Sequence, residues 1–160
     1  EWDALGRLNS RPDIPVDVRR MAAGRLLSRE RDLDEAQRSE MIEAAFAVLE
    51  DERFAPVFGP GSRAEVAIAG RLEGAPVSGR IDRLVVTPER VLVVDYKTNR
   101  PAPDRAEDAD PAYILQLAVY VAVLEQLYPD RPVEAALVWT DGPRLTPVPP
   151  ALLEAARAVR

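Results

Sequence analysis

Two apolar runs dominate the middle of the chain, Leu84-Val85-Val86 and Val91-Leu92-Val93-Val94, with Thr87-Pro88-Glu89-Arg90 between them. Proline at the second turn position and β-branched residues on both sides predict an antiparallel hairpin with arms near 77–86 and 90–96. Upstream, residues 64–69 alternate loosely and predict a first strand, with 70–76 turning it into the hairpin. Before that the apolar positions recur with a helical period. Ile42, Ala45, Phe46 and Leu49 predict a helix over 34–50, with Asp32 and Glu35 read as its capping box. A shorter helix over 18–27 has Met21, Ala22, Leu26 and Leu27 as its apolar positions, and Trp2, Leu5 and Leu8 form a further helical face. Downstream of the hairpin, a polar loop over 101–110 leads to Asp110-Pro111, an N-cap followed by proline at the first helical position. The helix this starts, over 112–128, carries Ile114, Leu117, Val121, Leu124 and Tyr128 on one face. Leu115, Val119 and Ala122 widen that face enough to pack on a sheet and on another helix. A strand over 133–140, a turn at Asp141-Gly142-Pro143, a strand over 145–148 and a helix over 151–159 complete the pattern.

This order predicts a single α/β domain: a mixed sheet flanked by helices, with a mainly helical lead-in over 1–58, a core over 64–148 and a terminal helix. The long helix would cross over between the strands at 90–96 and 133–140. Composition supports a folded core, since 47% of the 160 residues are hydrophobic and 30% charged. Neither cysteine nor histidine occurs, which removes disulfides, thiolate metal sites and histidine catalysis from the candidates. No apolar run reaches the length of a membrane span and no signal-peptide pattern opens the chain. Glu1 stands where a start methionine would, which fits a piece of a longer protein. The net charge of -6 speaks against a general nucleic-acid binder but not against a nuclease, whose metal-holding acids add negative charge.

The chemistry centres on the hairpin. In an antiparallel pair the start of one arm lies beside the end of the other, so Asp82 can approach Asp95. Lys97, two residues on, shares a sheet face with Asp95. Two carboxylates close together repel unless a proton or cation lies between them, and oxygen-only ligands suit a hard divalent ion. Acid–lysine pairs are also common on solvated strands, and that reading stays open. Asp95 favours the functional one, because it follows four apolar residues. Gln116 and Tyr120, four apart on the long helix, share a face that could bind phosphate or could anchor helix to sheet. Glu65 is a third candidate acid, unless Arg63 or Arg80 neutralises it. Lys97, Arg100 and Arg105 form a modest basic cluster able to meet a phosphate backbone, whereas Tyr113 and Trp139 are read as packing residues. Gly59-Pro60-Gly61-Ser62 lacks the lysine and the preceding strand of a phosphate-binding P-loop.

The set Glu65, Gly79-Arg80-Ile81-Asp82, Asp95-Tyr96-Lys97-Thr98 and Gln116-x-x-x-Tyr120 resembles the PD-(D/E)XK nuclease superfamily, in particular its RecB-like branch. The stretches GSRAEVAI, VSGRIDRLVV, VVDYKTNRPAP and LVWTDGPRL are similar to the C-terminal nuclease domain of bacterial AddA, the helicase–nuclease subunit of double-strand break repair. The resemblance runs from about Pro12 onward. It implies a restriction-endonuclease-like fold and Mg²⁺-dependent hydrolysis of DNA phosphodiester bonds, with Mn²⁺ as a substitute. By the same resemblance Asp82 and Asp95 are metal ligands, with Glu65 a further acid, and Lys97 is the catalytic lysine. Gln116 and Tyr120 belong to the active site and, with Arg100, to the DNA contact. The implied partners are single-stranded DNA, a helicase portion of the same chain and an AddB-like subunit that holds the iron–sulphur cluster this cysteine-free chain cannot carry. The implied location is cytoplasmic. The pattern departs at one point: RecB-like nucleases place a metal-binding histidine on a helix ahead of the core, and this chain has none. The departure gives a second expectation, a nuclease-like module that is structural or lines a DNA channel inside a helicase complex.

Overall fold

Strand β3 (Val91–Lys97) runs through the middle of a five-stranded sheet in the computed structural model, which describes residues 14–29, 32–59, 61–142 and 144–158. The face predicted around Trp2, Leu5 and Leu8, together with Pro60, Pro143 and Val159, lies outside the described residues. The strands stand in sequence order: β1 (Ser62–Leu72), β2 (Ala75–Val86), β3, β4 (Val133–Trp139) and β5 (Arg144–Val148). Neighbours are antiparallel except β3 and β4, which pair in parallel from Val91↔Val133 to Lys97↔Trp139. The α-helices among the described residues are α1 (Val16–Leu27), α2 (Glu35–Leu49), α3 (Ala55–Phe58), α4 (Pro111–Leu127) and α5 (Pro150–Ala158). The mixed sheet covered by helices is the predicted fold, and α4 supplies the crossover that a parallel pair requires. No helix among the described residues is long and apolar enough to cross a membrane.

The alternation of strand side chains sorts the core onto two faces. Val91 and Val93 of β3, with Ala135, Leu137 and Trp139 of β4, face α4 and α5, where Leu117, Ala118, Val121 and Leu153 are buried. Leu92, Val94, Ala136 and Val138 face the other way, onto Val48 of α2 and onto Phe54 and Val57. A smaller cluster of Ala23, Ala45 and Phe46 joins α1 to α2.

Three local expectations are corrected. The capping box of α2 is formed by Asp34 and Gln37: Asp34 Oδ1 accepts the Gln37 N–H at 2.8 Å and Gln37 Oε1 accepts the Asp34 N–H at 2.9 Å. Asp32 and Glu35 have the same three-residue spacing, but the helix begins at Glu35, so Glu35 is its first residue and the cap is Asp34. The first strand is longer than 64–69, and the turn after it is tighter than 70–76. Leu72 pairs with Ala75, so only Glu73 and Gly74 form the loop, at φ of 50° and 84°. Two positive φ values are the signature of a two-residue type I′ hairpin, whose twist matches the strands it joins. Short helical turns at Glu52–Phe54, Ala55–Phe58 and Ala106–Asp108 carry too few residues to show a period.

Candidate active site

The β2–β3 ladder runs from Val86↔Val91 to Arg83↔Val94 and stops one step short of Asp82 and Asp95. At that step Asp82 Oδ2 accepts the Tyr96 N–H at 2.9 Å, so a carboxylate takes a place that a strand carbonyl would otherwise hold. β3 stays in the sheet beyond this point because β4 continues beside it to Lys97↔Trp139. The Thr140 N–H then closes on the Lys97 carbonyl at 3.0 Å. The two strands thus part where their acids stand.

The pleat also changes hand here. Ile81 and Leu84 both pack toward α4, whereas Arg83 and Val85 turn to the opposite face. Strict alternation would place residues 81, 83 and 85 together. β1 shows the same switch: Val66 and Ile68 pack toward α4, while Ser62 Oγ donates to the Val57 carbonyl of α3. Glu65 lies at the switch, between the pairs Ala64↔Arg83 and Val66↔Ile81, with φ of 53°. Left-handed backbone at a non-glycine residue is costly and tends to occur where function constrains the chain. Register places Glu65 across from Asp82, but its carboxylate turns to Arg80, 3.0 Å away. Among the described residues no three acidic side chains come together as a metal-holding group.

Asp95 is 5% exposed, so the apolar run before it delivers a carboxylate into the core. Its Oδ2 is ion-paired with Lys97 Nζ. Burial pushes the Asp82 carboxyl up to about 6; the Tyr96 N–H and Lys97 oppose that shift, and the Asp95 carboxyl adds to it. Two carboxylates set side by side repel unless a proton or a cation lies between them. This pair of oxygen ligands on two adjacent strands fits a hard divalent cation that keeps several waters.

Helix α4 brings the remaining residues. Gln116 Nε2 donates to the Tyr120 hydroxyl at 3.1 Å, the contact expected from their spacing. The Tyr120 hydroxyl and ring edge lie over Gly79, where an added Cβ would sit 2.6 Å from the hydroxyl. One turn before Gln116, the ring of Tyr113 lies under Lys97 Nζ, 4.0 Å from centroid to nitrogen. Trp139 is 1% exposed, with its indole N–H bonded to Thr146, and is a packing residue as expected. The basic cluster is divided among separate partners: Lys97 on Asp95, Arg100 on Glu40 at 2.9 Å and Arg105 on Glu107 at 3.4 Å.

The sequence pattern read Tyr113 as a packing residue, carried Gly79 only within its motif and did not single out Arg83; the structure adds to Tyr113 a contact with the Lys97 ammonium. Arg83 is 1% exposed, stacks on Phe58 and bonds the Tyr96 hydroxyl at 3.2 Å and Ser62 Oγ at 2.5 Å. The sequence did hold a signal for Tyr113, which stands three residues before Gln116 on the same helical face.

The PD-(D/E)XK nuclease superfamily matches the chain over residues 2–158. No curated protein matches. A solved structure titled "Crystal structure of SSO0001" is similar at 18% identity, over 89% of this chain and 71% of that one, with a TM-score of 0.38. The match over nearly the whole length implies metal-dependent phosphodiester hydrolysis as the class of chemistry. The chain belongs to the PD-(D/E)XK nuclease superfamily.

Proposed function

We propose that this domain hydrolyses phosphodiester bonds in single-stranded DNA, as the nuclease part of an AddA-like helicase–nuclease of double-strand break repair. The observation that carries the reading is the meeting of Asp82, Asp95 and Lys97 where β2 and β3 separate. The ordered Gly-Arg-Ile-Asp, Asp-Tyr-Lys and Gln-x-x-x-Tyr stretches support the RecB-like branch.

Asp82 and Asp95 would hold Mg²⁺, with Mn²⁺ as a substitute; Glu65 would join them only by leaving Arg80. A bound divalent cation supplies Lewis-acid polarisation of a phosphoryl oxygen and a more acidic water. Lys97 stands beside Asp95 with its ammonium available to offset charge that develops on the phosphoryl oxygens. Gln116 and Tyr120, on the α4 face beside β2, would orient the strand through their amide and hydroxyl. Arg100 lies on the loop after Lys97, 67% exposed at its side chain, and would meet the phosphate backbone in exchange for Glu40.

The test is cleavage of an end-labelled single-stranded oligonucleotide with Mg²⁺. Cleavage should stop with a chelator and fall at least about a hundredfold in Lys97→Ala, the size typical of losing one charge-stabilising group, in a protein that remains folded at the assay temperature. A folded wild-type protein that neither binds divalent cations nor cleaves would overturn the proposal.

The second reading, a structural or DNA-channel module, draws on two observations. No histidine occurs in 160 residues, and no third acid joins the pair among the described residues. It expects Asp82→Ala to leave the nuclease output of an assembled helicase complex unchanged, whereas the first reading expects that output to fall.

A further inference from the structure

We propose that Tyr113 is a positioning residue for Lys97, holding its ammonium at the carboxylate pair through the face of the phenol ring. The proposal rests on the nuclease reading for its catalytic purpose and on geometry for the contact itself.

Lysine is a flexible four-carbon stem, and one carboxylate does not fix where its ammonium points. Lys97 has two partners: Asp95 Oδ2, and the Tyr113 ring with its centroid 4.0 Å from Nζ. Together they leave its side chain 15% exposed. The negative face of an aromatic ring attracts a cation within about 6 Å, and more strongly when water is excluded. The ring and the carboxylate both contact the ammonium.

Tyr113 is itself fixed at both ends. Its backbone lies in the first turn of α4, where Asp110 Oδ1 accepts the Ala112 N–H at 2.8 Å and Pro111 presets the helical φ. Its hydroxyl donates to Asn99 Oδ1 at 3.2 Å, two residues beyond Lys97. The chain thus closes a loop from Lys97 through Asn99 and Tyr113 back to Lys97, which couples the end of β3 to the start of α4. Tyr113, Gln116 and Tyr120 then form one stripe along α4, with Tyr113 on the lysine and Tyr120 on Gly79. Tyr113 stands at the edge of the core, partly buried against it, with its ring on Lys97 and its hydroxyl on Asn99.

Two measurements on wild type, Tyr113→Phe and Tyr113→Leu test the proposal. In ¹³C-labelled protein, the Lys97 ε-methylene protons should be shifted upfield by the ring in wild type and in the Phe variant, and return to the ordinary lysine position in the Leu variant. In single-stranded DNA cleavage, the Leu variant should lose about tenfold in kcat at unchanged KM and melting temperature, within the range of a desolvated cation–π contact. The Phe variant should stay within about twofold of wild type. Unshifted Lys97 protons in the wild-type protein overturn the proposal whatever the variants do. So does a Leu variant with wild-type kcat, or one that raises KM alone, which would assign the ring to stacking on a base. A wild-type protein that shows the shift but cleaves no DNA supports the hold on Lys97 and overturns the nuclease reading instead.

Discussion

Asp82 is held where an ionised carboxylate is costly: half-buried, beside a second acid, with one backbone N–H and a lysine in compensation. Its carboxyl titrates near 6 in the folded chain and near 3.8 when unperturbed, so the unfolded chain releases its proton first as pH rises. A raised folded value means the contribution to stability is full below about pH 4 and is lost as pH climbs through about 6. In chelator at pH 7.5, Asp82→Asn should therefore be more stable than wild type, by on the order of 1–2 kcal/mol after allowance for partial solvent screening. At pH 4 the two should unfold together. Urea titration at both values measures this, and an Asn variant less stable at pH 7.5 would refute it. A divalent cation that binds only the folded protein raises its stability by mass action. Added Mg²⁺ should accordingly raise the melting temperature of wild type and leave that of Asp82→Asn nearly unmoved.

At the scale of elements, the approach of α4 to β2 depends on one missing side chain. A Cβ at Gly79 would lie 2.6 Å from the Tyr120 hydroxyl and 2.7 Å from its ring edge, both inside van der Waals contact. Gly79→Ala should cost about 1–3 kcal/mol, as overpacking of a filled interior does, and should displace Tyr120. In a Tyr120→Ala background the same substitution should cost almost nothing. Equal costs in both backgrounds, measured by chemical denaturation, would show that Gly79 has another role. Helix α2 offers a cleaner separation of sequence from structure. Asp34→Ala should destabilise by about 1 kcal/mol through loss of the cap, while Asp32→Ala should be close to neutral. The same denaturation curves decide it, and a larger effect at Asp32 would place the helix start where the sequence pattern first put it.

For the whole molecule, the parallel β3–β4 pair is the rigid centre, with Val91, Val93, Val94, Leu137 and Val138 fully shielded from solvent. The α1–α2 pair joins at Ala23, Ala45 and Phe46, a cluster separate from the two that cover the sheet. Regions with few contacts to the core open locally at lower free energy than the core itself. Native-state hydrogen exchange should show the amides of α1 opening well before those of β3 and β4. Protection of α1 equal to that of the sheet would mean that the chain opens as one unit. The site stands on the rigid part, since Asp95 and Lys97 lie on β3 and Tyr113, Gln116 and Tyr120 on the helix packed against it. Catalytic groups held on regular elements keep their geometry better than groups on loops.

The sequence by itself determined the α/β class, the hairpin, the crossover helix and the meeting of Asp95 with Lys97, because all of these follow from local period and chain direction. A period of two puts residues 95 and 97 on one face, a period of 3.6 puts Gln116 beside Tyr120, and a helix between two strands allows the parallel pair. The tertiary structure alone decided where that periodicity breaks. The switch of face at Glu65 and Asp82, the swing of Glu65 to Arg80, the burial of Arg83 and the reach of Tyr113 to Lys97 depend on residues far apart in the chain. Such contacts are settled by which surfaces pack together and by where two strands part, and no repeating pattern along a single strand or helix carries that information.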